Sequence, residues 1–97
     1  MSAKRSPDNL YVIEARMDSN ERALLWNSLE PYVVLDGKLV PMQKSGAAPN
    51  QWHATVHIPP EKRYTIYQFR FDYFTQGFGK KLPESRLSPT YRLEITE

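Results

Sequence analysis

Between Tyr64 and Thr75 the chain alternates for twelve residues without a break, with Thr65, Tyr67, Phe69, Phe71 and Tyr73 on one side and Ile66, Gln68, Arg70, Asp72 and Phe74 on the other. Period two is the signature of a strand, because successive side chains leave a pleated backbone on opposite faces. A strand with four aromatic rings in one row must bury that row against a second layer. The segment therefore predicts a long central strand in a layered β-protein, with the Tyr67-Phe69-Phe71-Tyr73 row facing the core.

The other segments agree with this. Leu10–Met17 is rich in β-branched and aromatic residues and ends at the turn former Asp18-Ser19-Asn20. Tyr32–Leu35 and Lys38–Val40 flank Asp36-Gly37, a pair favoured in the two-residue hairpin whose central positions both need positive φ. Pro41 cannot donate to a ladder, so the second arm is an edge or leaves the sheet there. Gln43–Gln51 reads as a loop. Trp52–Ile58 alternates Trp52, Ala54, Val56 and Ile58 against His53, Thr55 and His57 before Pro59-Pro60 closes it. Gln76–Ser85 reads as a Gly/Pro-rich loop, and Thr90–Thr96 is the closing strand, with Tyr91, Leu93 and Ile95 on its packing face. Glu21–Leu29 holds helix formers but also alternates, and Glu30-Pro31 ends it too early for an ordinary helix, so a strand is favoured. Short strands at this spacing predict an all-β antiparallel sandwich of about seven strands, spanning residues 10–97 behind a flexible tail at 1–9.

Ninety-seven residues that are 40% apolar and 12% aromatic suffice for one core, and the net charge of +2 is far from that of a disordered polyelectrolyte. The absence of cysteine excludes disulfides, thiolate metal sites and a cysteine nucleophile. No run approaches the ~20 apolar residues of a membrane helix. No signal peptide precedes the domain, but a trimmed secreted or periplasmic module has the same sequence, so the compartment stays open. Residues 61–92 carry seven basic side chains against three acidic ones, a mild basic bias that a solvated strand face accounts for.

Gly37, Pro41-Met42, Gly46, Trp52, Val56, Ile58-Pro59, Tyr64, Tyr67, Phe69 and Asp72 together resemble the immunoglobulin-like (early-set) glycogen- and starch-binding modules. The likeness covers residues 34–77. It implies an immunoglobulin-like sandwich and a glucan-type carbohydrate ligand. Where those modules carry an Asn-Trp pair this chain has Lys38-Leu39-Val40, so that binding tryptophan has no counterpart. Trp52 matches by position, but its alternation points it inward.

The sequence offers no catalytic constellation. His53 and His57 share a strand face but stand about 13 Å apart at ~3.3 Å per residue, too far to share a metal. No nucleophile elbow and no carboxylate pair is present, so neither an enzyme nor a cofactor is expected. Gly77-Phe78-Gly79-Lys80 matches only a fragment of an RNA-recognition strand motif, and its glycines are better explained by a turn. Single-stranded nucleic acid is accordingly the least favoured ligand. The expectation is a non-catalytic binding or interaction module, an accessory domain or subunit of a larger assembly. Its partner is another protein or a polysaccharide. Trp26, Trp52, Tyr73 and Phe78 are the candidate contact rings, with Lys80 and Lys81 beside them. A structural subunit that pairs through an edge strand is the alternative.

The Asp36-Gly37 turn generates a test. Gly37→Val forces positive φ on a β-branched residue and is expected to cost on the order of 1–3 kcal/mol. Thermal melts check this; an unchanged midpoint means a different turn.

Overall fold

A computed structural model describes residues 1–17, 24–46 and 50–97, with the side chains of all of these except Leu24 and Trp26. It contains nine strands among the described residues and no helix: β1 (Ser2–Lys4), β2 (Leu10–Arg16), β3 (Leu24–Leu35), β4 (Lys38–Pro41), β5 (Gln43–Lys44), β6 (Gln51–His57), β7 (Tyr64–Gln76), β8 (Lys81–Leu87) and β9 (Tyr91–Thr96). One sheet has the order β1-β9-β7-β3-β4, with β8 also paired to β7; the other has the order β2-β6-β5. All the ladders are antiparallel except that between β1 and β9.

The core lies between the sheets and is built by period two. Tyr11, Ile13 and Ala15 of β2 and Ala54 and Val56 of β6 enter from one side. Val33, Leu35, Leu93, Ile95 and the β7 row Tyr67, Phe69, Phe71 and Tyr73 enter from the other. Within the aromatic row Tyr67 and Phe69 pack edge on, their centroids 5.6 Å apart at 78°, and Phe71 is tilted at 35° to Phe69. Burying rings of this size supplies much of the core's apolar area.

β7 is the strand both sides of its sheet share. Along one side it pairs with β3. Along the other, its first half takes β9 and its second half takes β8. Ser88 joins those two end to end. Its N–H donates to the Phe69 carbonyl at 2.9 Å, and its hydroxyl accepts from the Phe69 N–H at 2.8 Å. The Gln68 amide holds its carbonyl at 3.0 Å. A serine thus stands in for a ladder residue where the edge changes strands.

Several local expectations are corrected. Residues 2–4, expected in a mobile tail, form β1, and Arg5 clasps the region: its guanidinium donates to the Pro60 carbonyl at 2.7 Å and to Glu97 at 2.8 Å. Residues 24–35 form one strand rather than two. Pro31 is tolerated within it because its carbonyl accepts from the Met42 N–H at 3.0 Å, which places its donor-less nitrogen on the side facing away from β7. Lys81–Leu87, whose first five residues were expected in a loop, is β8, and Gln43–Lys44 is the short β5. The chain changes sheets at Met42, between β4 and β5. Residues 18–23, which include part of the segment with competing helix and strand readings, lie outside the described residues. Asp36 and Gly37 both take positive φ, 51° and 75°, as the hairpin reading requires.

Phe69→Ala is expected to cost about 3–5 kcal/mol, since it removes a buried ring packed against three others. Urea denaturation of the two proteins measures the difference; a midpoint equal to the parent's would place the ring outside the core.

Candidate binding surface

The two sheets differ in length. β7 has 13 residues and runs about 43 Å, whereas β2 and β6 have 7 each and run about 23 Å at ~3.3 Å per residue. The far ends of β3, β7 and β8 therefore extend past the three-stranded sheet as an arm. The dimensions agree: the radius of gyration is 15.3 Å and the long axis 53 Å, against roughly 12.5 Å expected for the radius of a compact chain of this length.

Gly77, Phe78, Gly79 and Lys80 close the β7–β8 hairpin, with the Gly77 N–H donating to the Lys80 carbonyl at 2.8 Å. Gly79 sits at φ 74°, a conformation that favours glycine, whereas a Cβ on Gly77 would come within 2.9 Å of Leu82 Cδ1 and require only that side chain to shift. Phe78 is fully exposed, at 106% of its reference area, with Lys80 and Lys81 exposed next to it.

On the outer face of the arm the cross-strand rows are Leu25–Phe74–Pro83, then Glu30–Asp72–Ser85, then Tyr32–Arg70–Leu87. Between the first two rows β3 takes five residue steps while β7 takes two, a bulge spanned by Ser28. The Ser28 hydroxyl accepts from the Phe74 N–H at 2.9 Å and donates to the Leu25 carbonyl at 2.6 Å. The result is a shallow recess of about 370 Å³, with Phe74 and Pro83 as its apolar part and Glu30, Asp72, Glu84 and Arg70 around it.

Asp72 is the best-held polar group in the recess. Its Oδ1 accepts from Ser85 Oγ at 2.7 Å and from Arg70 Nε at 2.9 Å. Partial burial pushes its carboxyl up, but the Ser85 and Arg70 hydrogen bonds and the Arg70 charge outweigh this and hold it below the ordinary aspartate value. Glu30 accepts from the Tyr32 hydroxyl at 3.1 Å, a bond that raises the phenol above its usual value. A carboxylate kept ionised with one oxygen doubly occupied suits attraction of a cation and does not suit proton transfer.

The edge of β8 is blunted. The Gly77–Lys80 bond sets the ladder alternation, so Thr75–Leu82 and Tyr73–Glu84 exchange backbone bonds and Phe74–Pro83 does not. The Pro83 nitrogen therefore faces the bare side of β8, where a donor is missing, and Lys81 and Arg86 add charge to the same edge strand.

The residues singled out in the sequence separate. Phe78, Lys80 and Lys81 come together at the tip. Tyr73 is buried in the core row, which withdraws it as a stacking surface. Trp52 packs half-buried against the core, under Lys44 Nζ at 5.7 Å from its ring. The side chain of Trp26 lies outside the described residues. His53 and His57 point out from β6 opposite Glu14 and Leu10; His53 Nδ1 is 2.8 Å from Ser45 Oγ. Among the described residues no group of three or more metal-ligating side chains gathers, and no helix is long and apolar enough to cross a membrane. The recess itself was half legible: Arg70, Asp72 and Phe74 share the outer face of β7 by alternation, but their neighbours on β3 and β8 depend on pairings that no local signal reveals.

No family model, no curated protein and no solved structure matches the chain.

Asp72 supplies a pH test. Its folded-state value lies below that of the unfolded chain, so its contribution is complete above about pH 4 and is lost as pH falls through the lowered folded value. Urea midpoints of Asp72→Asn are expected to fall less than the parent's between neutral pH and pH 3; equal losses would show that Asp72 contributes nothing to acid lability.

Proposed function

We propose that this chain is a non-catalytic interaction module of immunoglobulin type whose projecting arm engages a partner protein. Two layers, β9-β7-β3 over β2-β6-β5, follow the connectivity of that architecture, which serves many binding domains by varying what its loops and faces present. The observation that carries the reading is the arm itself. It extends beyond the shorter sheet, ends in a fully exposed phenylalanine between two glycines, and exposes all seven residues of β8. An aromatic held in water by a defined turn is a common anchor of protein interfaces.

Pairing through the β8 edge is disfavoured by Pro83, so the face and tip are the contact surface. A glucan reading also draws on Phe78. Of the described candidate rings only Phe78 is fully exposed, since Tyr73 is buried and Trp52 is half-buried.

The test replaces Phe78 with a photo-crosslinking phenylalanine analogue, and Thr55, exposed on β6, with the same analogue as control. Protein adducts in a native extract are expected from position 78 and not from position 55. Equal labelling at both, or none at 78, sinks the reading. Retardation of the parent in a glycogen, starch or xylan gel that Phe78→Ala abolishes would replace it with the carbohydrate one.

A further inference from the structure

We propose that the open edge of β2 is a strand-addition site, which takes one extended segment of a partner protein whose apolar side chains recur at every second position. The inference is independent of the arm, since neither Phe78 nor the recess takes part in it.

Ladder parity leaves this edge unpaired. The Ile58 N–H donates to the Asn9 carbonyl and the Met17 N–H to the Asn50 carbonyl, both at 3.0 Å. Odd-numbered residues of β2 therefore bond to β6, and the N–H and C=O groups of Val12 and Glu14 point the other way. These groups meet no partner among the described residues, and Val12 is 53% exposed. The Leu10 N–H is already taken by the Asp8 carboxylate at 3.1 Å, so the open ladder starts at Val12. β2 holds no proline and no bulge that would repel an added strand.

The larger sheet shows what belongs there. β6 lies across from β3 and β4, and the far end of β2 meets β7 and β8 in a hollow of about 180 Å³ lined by Arg16, Met17, Phe71, Arg86, Leu87 and Ser88. The next position beyond β2 thus faces β9 and the β8–β9 junction, and the described residues place no strand in it. Tyr91 marks the gap. It stands on the inward face of β9, opposite the buried Tyr67, and its ring centroid is 5.6 Å from that of Tyr67 and 5.8 Å from that of Phe69. Leu93 and Ile95 on the same face are buried, yet Tyr91 is 43% exposed. A strand beside β2 covers that ring with its inward side chains while its backbone pairs with Val12 and Glu14, the combination on which strand addition depends. Its outward side chains stay in water, which sets the period of two.

A second copy of the chain does not fit. The two-fold axis that pairs β2 antiparallel with its own copy runs perpendicular to the sheet, so the larger sheets of both copies lie at one level. Each of those sheets already reaches past β2 by β9 and β1, and the two would occupy the same space. The overhang admits a lone strand and excludes a folded two-layer partner. Residues 5–9, which carry the chain from β1 to β2, bound the slot at its Leu10 end.

Peptides selected from a random heptamer library on the immobilised full chain supply the probe, and fluorescence anisotropy of the synthetic winners reads affinity. The winners are expected to alternate apolar and polar residues. N-methylation at every second residue of a winner should weaken binding at least about tenfold in one phase and less than about twofold in the other, because only alternate N–H groups of an added strand face β2. Val12→Pro removes an outward N–H and no bond to β6, so it should weaken binding by about the same factor with a urea midpoint near the parent's. Should that variant not fold, the N-methyl pair and hydrogen exchange decide. The Val12 and Glu14 amides should exchange freely in the chain alone and at least about tenfold more slowly with peptide bound. Failure to select any peptide overturns the proposal, as does an equal response to both N-methyl phases or protection that leaves Val12 and Glu14 unchanged. Slow exchange at these two amides in the chain alone that quickens on dilution would put a second copy on the edge, and overturns it as well.

Discussion

The aromatic row of β7 is what the rest of the molecule is arranged around. Tyr67, Phe69, Phe71 and Tyr73 stand at every second position and need a lid over their whole length. β2 and β6 supply it for the first part with the buried Ile13, Ala54 and Val56. On both flanks the same strand needs hydrogen-bonding neighbours. β3 serves one flank, while the other is divided between β9 and β8 at Ser88. Losing the row would remove the core and the spine of the larger sheet together.

Because β7 outlasts β2 and β6, the fold has a body and an arm. Along its whole length β7 alternates buried and outward side chains and is paired on both sides. In the arm, β8 is exposed at every residue, and cohesion depends more on directional bonds: Ser28 across the bulge, Ser85 and Arg70 on Asp72, and the backbone bond that closes the Gly77–Lys80 turn. Such bonds leave side chains free to face outward. The arm can therefore change its surface chemistry without disturbing the buried rings, a division of labour that suits a binding element on a rigid support.

How much of this was legible in the sequence follows from where the signal resides. Period two within one strand is local, so the two faces of β7, β2 and β6 and the positive-φ hairpin at Asp36-Gly37 could be read directly. Pairing is not local. Lys81–Leu87 contains Pro83, Glu84 and Ser85 and buries nothing, so it has neither β propensity nor alternation; it is a strand because β7 offers it a ladder. Ser2–Lys4 is one because β9 does, with Arg5 fixing the register. Pro31 looked like a stop because a proline usually costs a ladder bond, and here its nitrogen faces away from β7. For the binding surface the same limit applies. Phe78 stood out by its flanking glycines and lysines, whereas the acidic recess required knowing that Glu30 and Ser85 flank Asp72 from two different strands.

The parallel β1–β9 pair has a mechanical side. Ser2 lies across from Glu94 and Lys4 from Thr96, so the chain enters β1 at one end of this short ladder and leaves β9 at the other. Tension applied between the first and last residues pulls the two strands past each other along their length. Their hydrogen bonds are then loaded together, in shear, and none can be peeled off first. The Arg5 guanidinium, bonded to Pro60 and Glu97, adds a cross-brace at the same place. The force meets its resistance at the end of β7 opposite the hairpin tip, so strain entering through the termini is taken up before it reaches the arm.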